Sequence, residues 1–480
     1  MFNAILLALI LLAVALSSYY LSGFSLAHPG VLLSLPLFCG TVCGLLNYRA
    51  YQFELDYLTV LYVGLGTVVF AVFCGITHLC FSRQSMFSMA YGKSGKQLNL
   101  NPTRIDLPIW VFVVGVVFSA ISIIVIVKGI YNLVAPYGID GSLTEVISAY
   151  DALAKRETHL PLRGLAGQAL IVSEALAFVW GYLFLRNCFC KYRKSDLLIL
   201  FNYLLSTIVP FFTGGRGPVI ELIVAFVVMW LIFEKKYRPE GASKYRLIMP
   251  LLIVAALAVI GALLFRPLLI LIGRGTIPAS LGSYISLYLG APLKNFDGFV
   301  TGTLSVAPEI DNSVWGRLTF ESIAQSLAHW FNVSVANDSL LVMPNQTLGD
   351  LFLGNVYTLF YTPLYDWGPL GLFIFMACSG IVAQAIYEFA VSNSCPRFGV
   401  IRISLMFYGL SGYALAMSFF MNEFARSLIS SRMIRFALVW ITLSYAFKTL
   451  DTNQSKKVQA SKPMTQIMRV YASFNRDSRI

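Results

Sequence analysis

Charge is scarce in this chain. Asp, Glu, Lys and Arg make up 12% of its 480 residues, against 58% hydrophobic residues and a mean hydropathy of +0.73. A soluble domain is about a quarter charged, and half that density cannot cover a water-soluble surface of this size. A cytosolic enzyme, a secreted disulfide scaffold and a disordered chain are excluded. Histidine is scarcer still: His28, His78, His159 and His329 show no zinc-ligand spacing, and there is no His-Glu-x-x-His. A Walker A loop, a Gly-x-Ser-x-Gly elbow and a dinucleotide fingerprint are also missing, which argues against ATP-driven transport by this chain alone. The 8 cysteines lie in or beside apolar runs, except Cys395 in a short basic loop, and read as small buried residues. No metal and no cofactor is expected.

What the chain has in excess is apolar length. Segments of at least roughly 16 residues recur at 3–22, 30–47, 57–81, 107–131, 165–186, 196–212, 218–233, 247–271, 367–391, 398–420 and 430–448. The expected fold is therefore all-α: a polytopic transmembrane helical bundle of about 11 spans, with 10 to 12 in range. The first span lacks a basic leader and a small-residue cleavage site, so it is expected to stay as an anchor.

The net charge of +12 then reads as topology, with membrane lipid rather than nucleic acid as its partner. Basic residues dominate 82–106, 186–196, 234–246 and the tail beyond Lys448. The positive-inside rule makes these segments cytoplasmic, with the C-terminus inside and the N-terminus outside. The opposite side holds loop 132–164 and a longer one, 273–366, which carries three bases and seven acids. Four regions result: helices 1–8 over 1–272, the long periplasmic loop 273–366, helices 9–11 over 367–448, and a basic tail, 449–480. Within the long loop, 318–331 has amphipathic helical spacing, and 351–365 is apolar but too short to span, as a re-entrant or interfacial segment would be.

Three arginines stand against the charge trend. Arg216 lies in Thr213-Gly214-Gly215-Arg216-Gly217-Pro218, a glycine turn with Pro218 placed to open the next helix. Arg266 and Arg274 bracket the outer end of span 247–271. A guanidinium beside a helix N-terminus suits a phosphate, which it binds with two parallel hydrogen bonds. Snorkelling to lipid headgroups is the plainer reading. Two carboxyls fall inside spans, where ionisable groups are costly and default to function. Glu221, one turn past Arg216, is expected to pair with it or with Arg274. Glu174 has no evident partner and reads as a proton-relay group or a buried protonated carboxyl. His159 and His329 fall in the outer loops, where either can serve as a general base for a sugar hydroxyl.

Three passages carry a family resemblance: the turn at Gly214-Gly215-Arg216-Gly217; Tyr288-Leu289-Gly290-Ala291-Pro292 with Phe296-Asp297; and Asn355-Val356-Tyr357-Thr358 followed by Asp366-Trp367-Gly368-Pro369-Leu370-Gly371. In order and spacing they resemble the O-antigen polymerase (Wzy-type) family, bacterial inner-membrane enzymes that polymerise oligosaccharide repeat units. Trp367 stands where that family usually has Phe. The resemblance implies a metal-independent multi-span glycosyltransferase of O-antigen or capsular polysaccharide synthesis. It would move a glycan from undecaprenyl diphosphate onto an acceptor sugar hydroxyl at the periplasmic face. It implies diphosphate binding by Arg216 with Arg274 or Arg266, and sugar binding by Tyr288, Asp297, Asn355, Tyr357 and Asp366. The general base would be His329, Glu321 or His159. The partners would be the undecaprenyl-diphosphate-linked oligosaccharide, membrane lipid and a polysaccharide chain-length regulator. An O-antigen ligase of related fold, or a flippase for the same lipid-linked oligosaccharide, remain as alternatives.

Overall fold

Inside a bilayer the backbone has no water to bond, so long apolar runs must pair their N–H and C=O groups within one helix. The computed structural model describes residues 1–90, 104–139, 141–156, 162–237, 281–309, 316–331, 343–392 and 399–451. In chain order its helices are α1 (Phe2–Leu21), α2 (Pro29–Leu46), α3 (Tyr57–Ser82), α4 (Ile109–Tyr137), α5 (Leu143–Arg156), α6 (Gly164–Cys190), α7 (Asp196–Thr213), α8 (Gly217–Tyr237), α9 (Leu281–Thr301), α10 (Glu321–Phe331), α11 (Tyr361–Val391), α12 (Ile403–Phe419), α13 (Glu423–Leu428) and α14 (Ser431–Leu450). A small antiparallel hairpin, β1 (Gln346–Leu348) and β2 (Leu351–Gly354), lies between α10 and α11. Among the described residues nine helices are long and apolar enough to cross a membrane: α1 to α4, α6 to α8, α11 and α14. The shorter α12 is also apolar. The protein is a helical membrane protein. The expected span 247–271 lies outside the described residues.

Three elements differ from the expectation. The stretch 273–366, expected as a long loop containing short helices, supplies the 21-residue α9, whose Ala291, Leu293 and Phe296 are buried. Glycines make that packing possible: a Cβ on Gly40 of α2 would meet the Leu289 carbonyl oxygen at 2.8 Å, and Gly290 faces Gly44. The segment looks polar because Asn295 and Asp297 carry hydrogen bonds inside it. Second, the apolar stretch 351–365 is not one continuous element but β2 followed by the start of α11. It is apolar because protein covers it, with Leu353, Tyr357, Leu359 and Phe360 buried. Third, the span expected at 367–391 begins six residues earlier, at Tyr361, and breaks at Gly368 (φ 69°, ψ −168°) before Pro369 restarts the helix. The amphipathic helix expected at 318–331 is present as α10.

Polar contacts sort the connecting segments onto two ends of the bundle. At one end Arg104 reaches Asp196 with Nη1 at 2.8 Å and Nη2 at 2.6 Å. Asp196 also accepts from Asn187 and from the Arg193 amide, and the Asp106 amide donates to Asp451. Arg186 bonds the Val400 carbonyl, Lys236 that of Ser392, and Lys235 that of Ser22. The basic segments thus converge at one end, hereafter the basic end. In the same region His28 caps α2 by accepting the Gly30 amide through Nδ1, and burial beside Lys235 holds its pKa at about 3.

Candidate functional site

The opposite end gathers a second group of charged side chains. A 3₁₀ turn ends at Thr213, and Gly214 follows at φ +74°, where a Cβ would press to 2.9 Å from that of Asp151. The chain reverses there, and the Arg216 carbonyl accepts the Ile220 amide at 3.0 Å, which makes Arg216 the N-cap of α8. Its Nη2 donates to the Tyr288 hydroxyl at 3.1 Å, and its guanidinium lies 5.6 Å from the centre of that ring. Tyr288 stacks on Phe420, with centroids 5.8 Å apart and planes within 8°. The half-buried arginine is therefore held by an aromatic wall from α9 and the α12–α13 connection, at the positive end of a helix dipole.

Glu174 and Glu221 meet at another arginine, and both expectations for them change. The partner of both is Arg432, in the first turn of α14. Its Nη1 and Nη2 donate to the two Glu221 oxygens at 2.9 Å each, and its Nε donates to Glu174 Oε2 at 3.0 Å. The same Glu174 oxygen lies 2.9 Å from Nη2. Both carboxyls are buried, and Arg432 is partly exposed. Glu221 thus faces Arg432 and not Arg216, because its side chain points into the helix packing while Arg216 sits at the helix end. Removing one member of such a buried cluster costs about 3–5 kcal/mol.

Next to this triad, α13 presents the exposed Arg426, with Glu423 3.6 Å away. The charges of Glu321 and Arg432 also act on Arg426. The Ser322 hydroxyl of α10 donates to the Arg426 carbonyl, which seats α10 over this end. Neither Glu423, Arg426 nor Arg432 stands out by motif. In the expected topology the connection between the last two spans faces outward, and its arginines were the available signal: they break the positive-inside trend just as Arg216 does.

The expected sugar-binding residues divide. Tyr288 is part of the aromatic wall. Asp297 accepts the Asp56 amide and the Thr59 hydroxyl at 2.8 Å each, tying α9 to the start of α3. Asp366 accepts the Leu318 and Thr319 amides at 3.3 and 2.7 Å, holding the approach to α10. Buried Tyr357 donates to the Pro344 carbonyl and accepts from Gln346. Asn355 is half-buried between β2 and α11. Asp297, Tyr357 and Asp366 thus brace the walls of this end.

Glu321 opens α10, where Gln325 donates to its carboxylate, and His329 falls in the last turn of the same helix. His159, Arg266 and Arg274 lie outside the described residues. Among the described residues no group of three His, Cys, Asp or Glu side chains is placed to hold a metal ion. Comparison with protein-family models, with curated proteins and with solved structures finds no match to this chain.

Proposed function

We propose that this protein polymerises undecaprenyl-diphosphate-linked oligosaccharide repeat units at the outer face of a bacterial inner membrane. The observation that carries the reading is Arg216: a guanidinium fixed at the N-terminus of α8 against Tyr288. In the transfer, the bond from the donor sugar's anomeric carbon to the diphosphate oxygen breaks. The acceptor hydroxyl oxygen bonds to that carbon, its proton passes to a general base, and the polyprenyl diphosphate leaves with the bonding pair. Charge thus grows on the diphosphate, and a preorganised cation and helix dipole stabilise it most in that state. Arg216 is the diphosphate ligand in this reading, with Arg274 or Arg266 as the second cation that the resemblance implies. Tyr288 offers a sugar or the diphosphate an aromatic and hydroxyl edge. Glu321, His329 and His159 are the general-base candidates.

The test uses the full-length protein in proteoliposomes with a synthetic undecaprenyl-diphosphate-linked repeat unit. A ladder of glycans lengthening by whole repeat units is expected. Arg216→Lys keeps the charge but loses the fork, and the ladder should fall about tenfold or more in yield. An undiminished ladder in that variant would remove Arg216 from the site. Transfer to a lipid A core without any ladder would replace the polymerase with a ligase. Movement of intact lipid-linked units between leaflets without a new glycosidic bond would replace it with a flippase.

A further inference from the structure

The triad at the head of α14 is not itself arranged as a phosphate ligand, because Nε, Nη1 and Nη2 of Arg432 all face carboxylate oxygens. Its geometry serves another purpose. Helices α6 and α14 form a locked pair: Trp440 Nε1 donates to the Ala175 carbonyl at 3.0 Å, and Phe178 packs against both Phe436 and Trp440. Arg432 rises from that pair with its guanidinium 4.6 Å over the Phe436 ring. Glu174, on α6, holds one edge of it. Glu221, on α8, takes the other edge through both oxygens. The link therefore ties the start of α8 to the α6–α14 pair. Glu221 stands five residues after Arg216, about 7.5 Å along the helix, and the chain immediately before Arg216 is two glycines with no side chain to brace it.

We propose that Arg432 is a positioning residue: through Glu221 it fixes the first turns of α8, and so keeps Arg216 in register with Tyr288. It does not touch the substrate, and its effect on the reaction passes through Arg216. The functional arm of this inference rests on the polymerase reading, whereas its structural arm does not.

Two measurements on the full-length protein test it. The first is amide hydrogen exchange in detergent. Arg432→Lys keeps one positive charge but cannot span both carboxylates. Exchange over 214–222 should quicken about tenfold or more, while 104–112 at the basic end stays at the wild-type rate. Unchanged exchange over 214–222, or equal quickening at both ends, overturns the proposal. This arm reads out even if the wild type forms no glycosidic bond, so failure of the polymerase reading is seen separately. The second is a double-mutant cycle on polymer yield. Arg432→Lys alone should lower yield about tenfold, and Arg216→Lys with Arg432→Lys should match Arg216→Lys alone within about twofold. A double variant lowered by the product of the two single effects means that Arg432 acts independently of Arg216, and the proposal falls. If Arg432→Lys fails to accumulate, Glu221→Asp withdraws the carboxylate by one methylene and takes its place in both measurements, with the same outcomes.

Discussion

The arginine at the basic end allows a sharp separation of buried from exposed charge. Arg104 is 9% exposed and Asp196 1%. Substitution Arg104→Met keeps much of the packing volume and removes the forked pair at 2.8 and 2.6 Å together with the bond to Asp106. Leaving a buried carboxylate without its counter-ion costs about 3–5 kcal/mol. Asp196 keeps the Asn187 and Arg193 amide bonds, so the low end, about 3 kcal/mol, is expected. Arg193 is the internal control. It reaches Asp106 at 3.1 Å but is 54% exposed, and Arg193→Met should cost no more than about 1 kcal/mol. Thermal denaturation of both variants in one detergent, pH and ionic strength reads the difference as loss of monodisperse protein. Arg104→Met should melt clearly lower than the wild type and Arg193→Met close to it. Coincident melting of the two variants would refute the claim that burial decides the strength of this cluster.

Two further predictions follow from packing and protonation. A Cβ on Gly380 of α11 would lie 2.5 Å from the Phe70 carbonyl oxygen on α3, whereas Gly75 on the same α3 meets nothing within 4 Å. Gly380→Ala should lower the melting temperature by separating α3 from α11, while Gly75→Ala should leave it unchanged or raise it by the equivalent of about 0.5–1 kcal/mol; the reverse order would contradict the helix contact. Burial raises the Asp297 carboxyl above its ordinary value, outweighing the Asp56 amide, Thr59 and Lys294. The folded state then holds that proton more tightly than the unfolded chain. Its favourable contribution is full below the unfolded value of about 3.9 and is lost as pH rises through the folded one. Asp297→Asn keeps the acceptor oxygen, so at neutral pH it should melt at or above the wild type, with the gap closing toward acid. A marked loss at neutral pH would show that the ionised form is the one this site needs.

Hydropathy located the membrane helices well, because a bilayer leaves a spanning segment few alternatives to an apolar helix. Their ends were less legible. Gly368 and Pro369 mark the break in α11, but Tyr361 to Asp366 continue the helix on the other side of it, where Tyr361 and Tyr365 pack on Phe299 of α9. Polar residues concealed α9 for a related reason: Asn295 and Asp297 are buried through hydrogen bonds to distant backbone, which composition cannot reveal. At the candidate site Arg216 was legible because its motif is local. Arg432 was not, since its partners lie 211 and 258 residues earlier in the chain. The tie of Glu221 to Arg216 expected from nearness in sequence was replaced by a three-helix contact visible only in the fold.

Those separations have a consequence in time. Ribosomes deliver about 5–20 residues per second, so Glu174 and Glu221 precede Arg432 by on the order of ten to fifty seconds. Through that interval two carboxyl groups occupy membrane helices without the counter-ion that completes them. The last of the described helices to emerge therefore completes this cluster, and a chain halted before Ser431 keeps two carboxyls without their arginine at that end of the bundle.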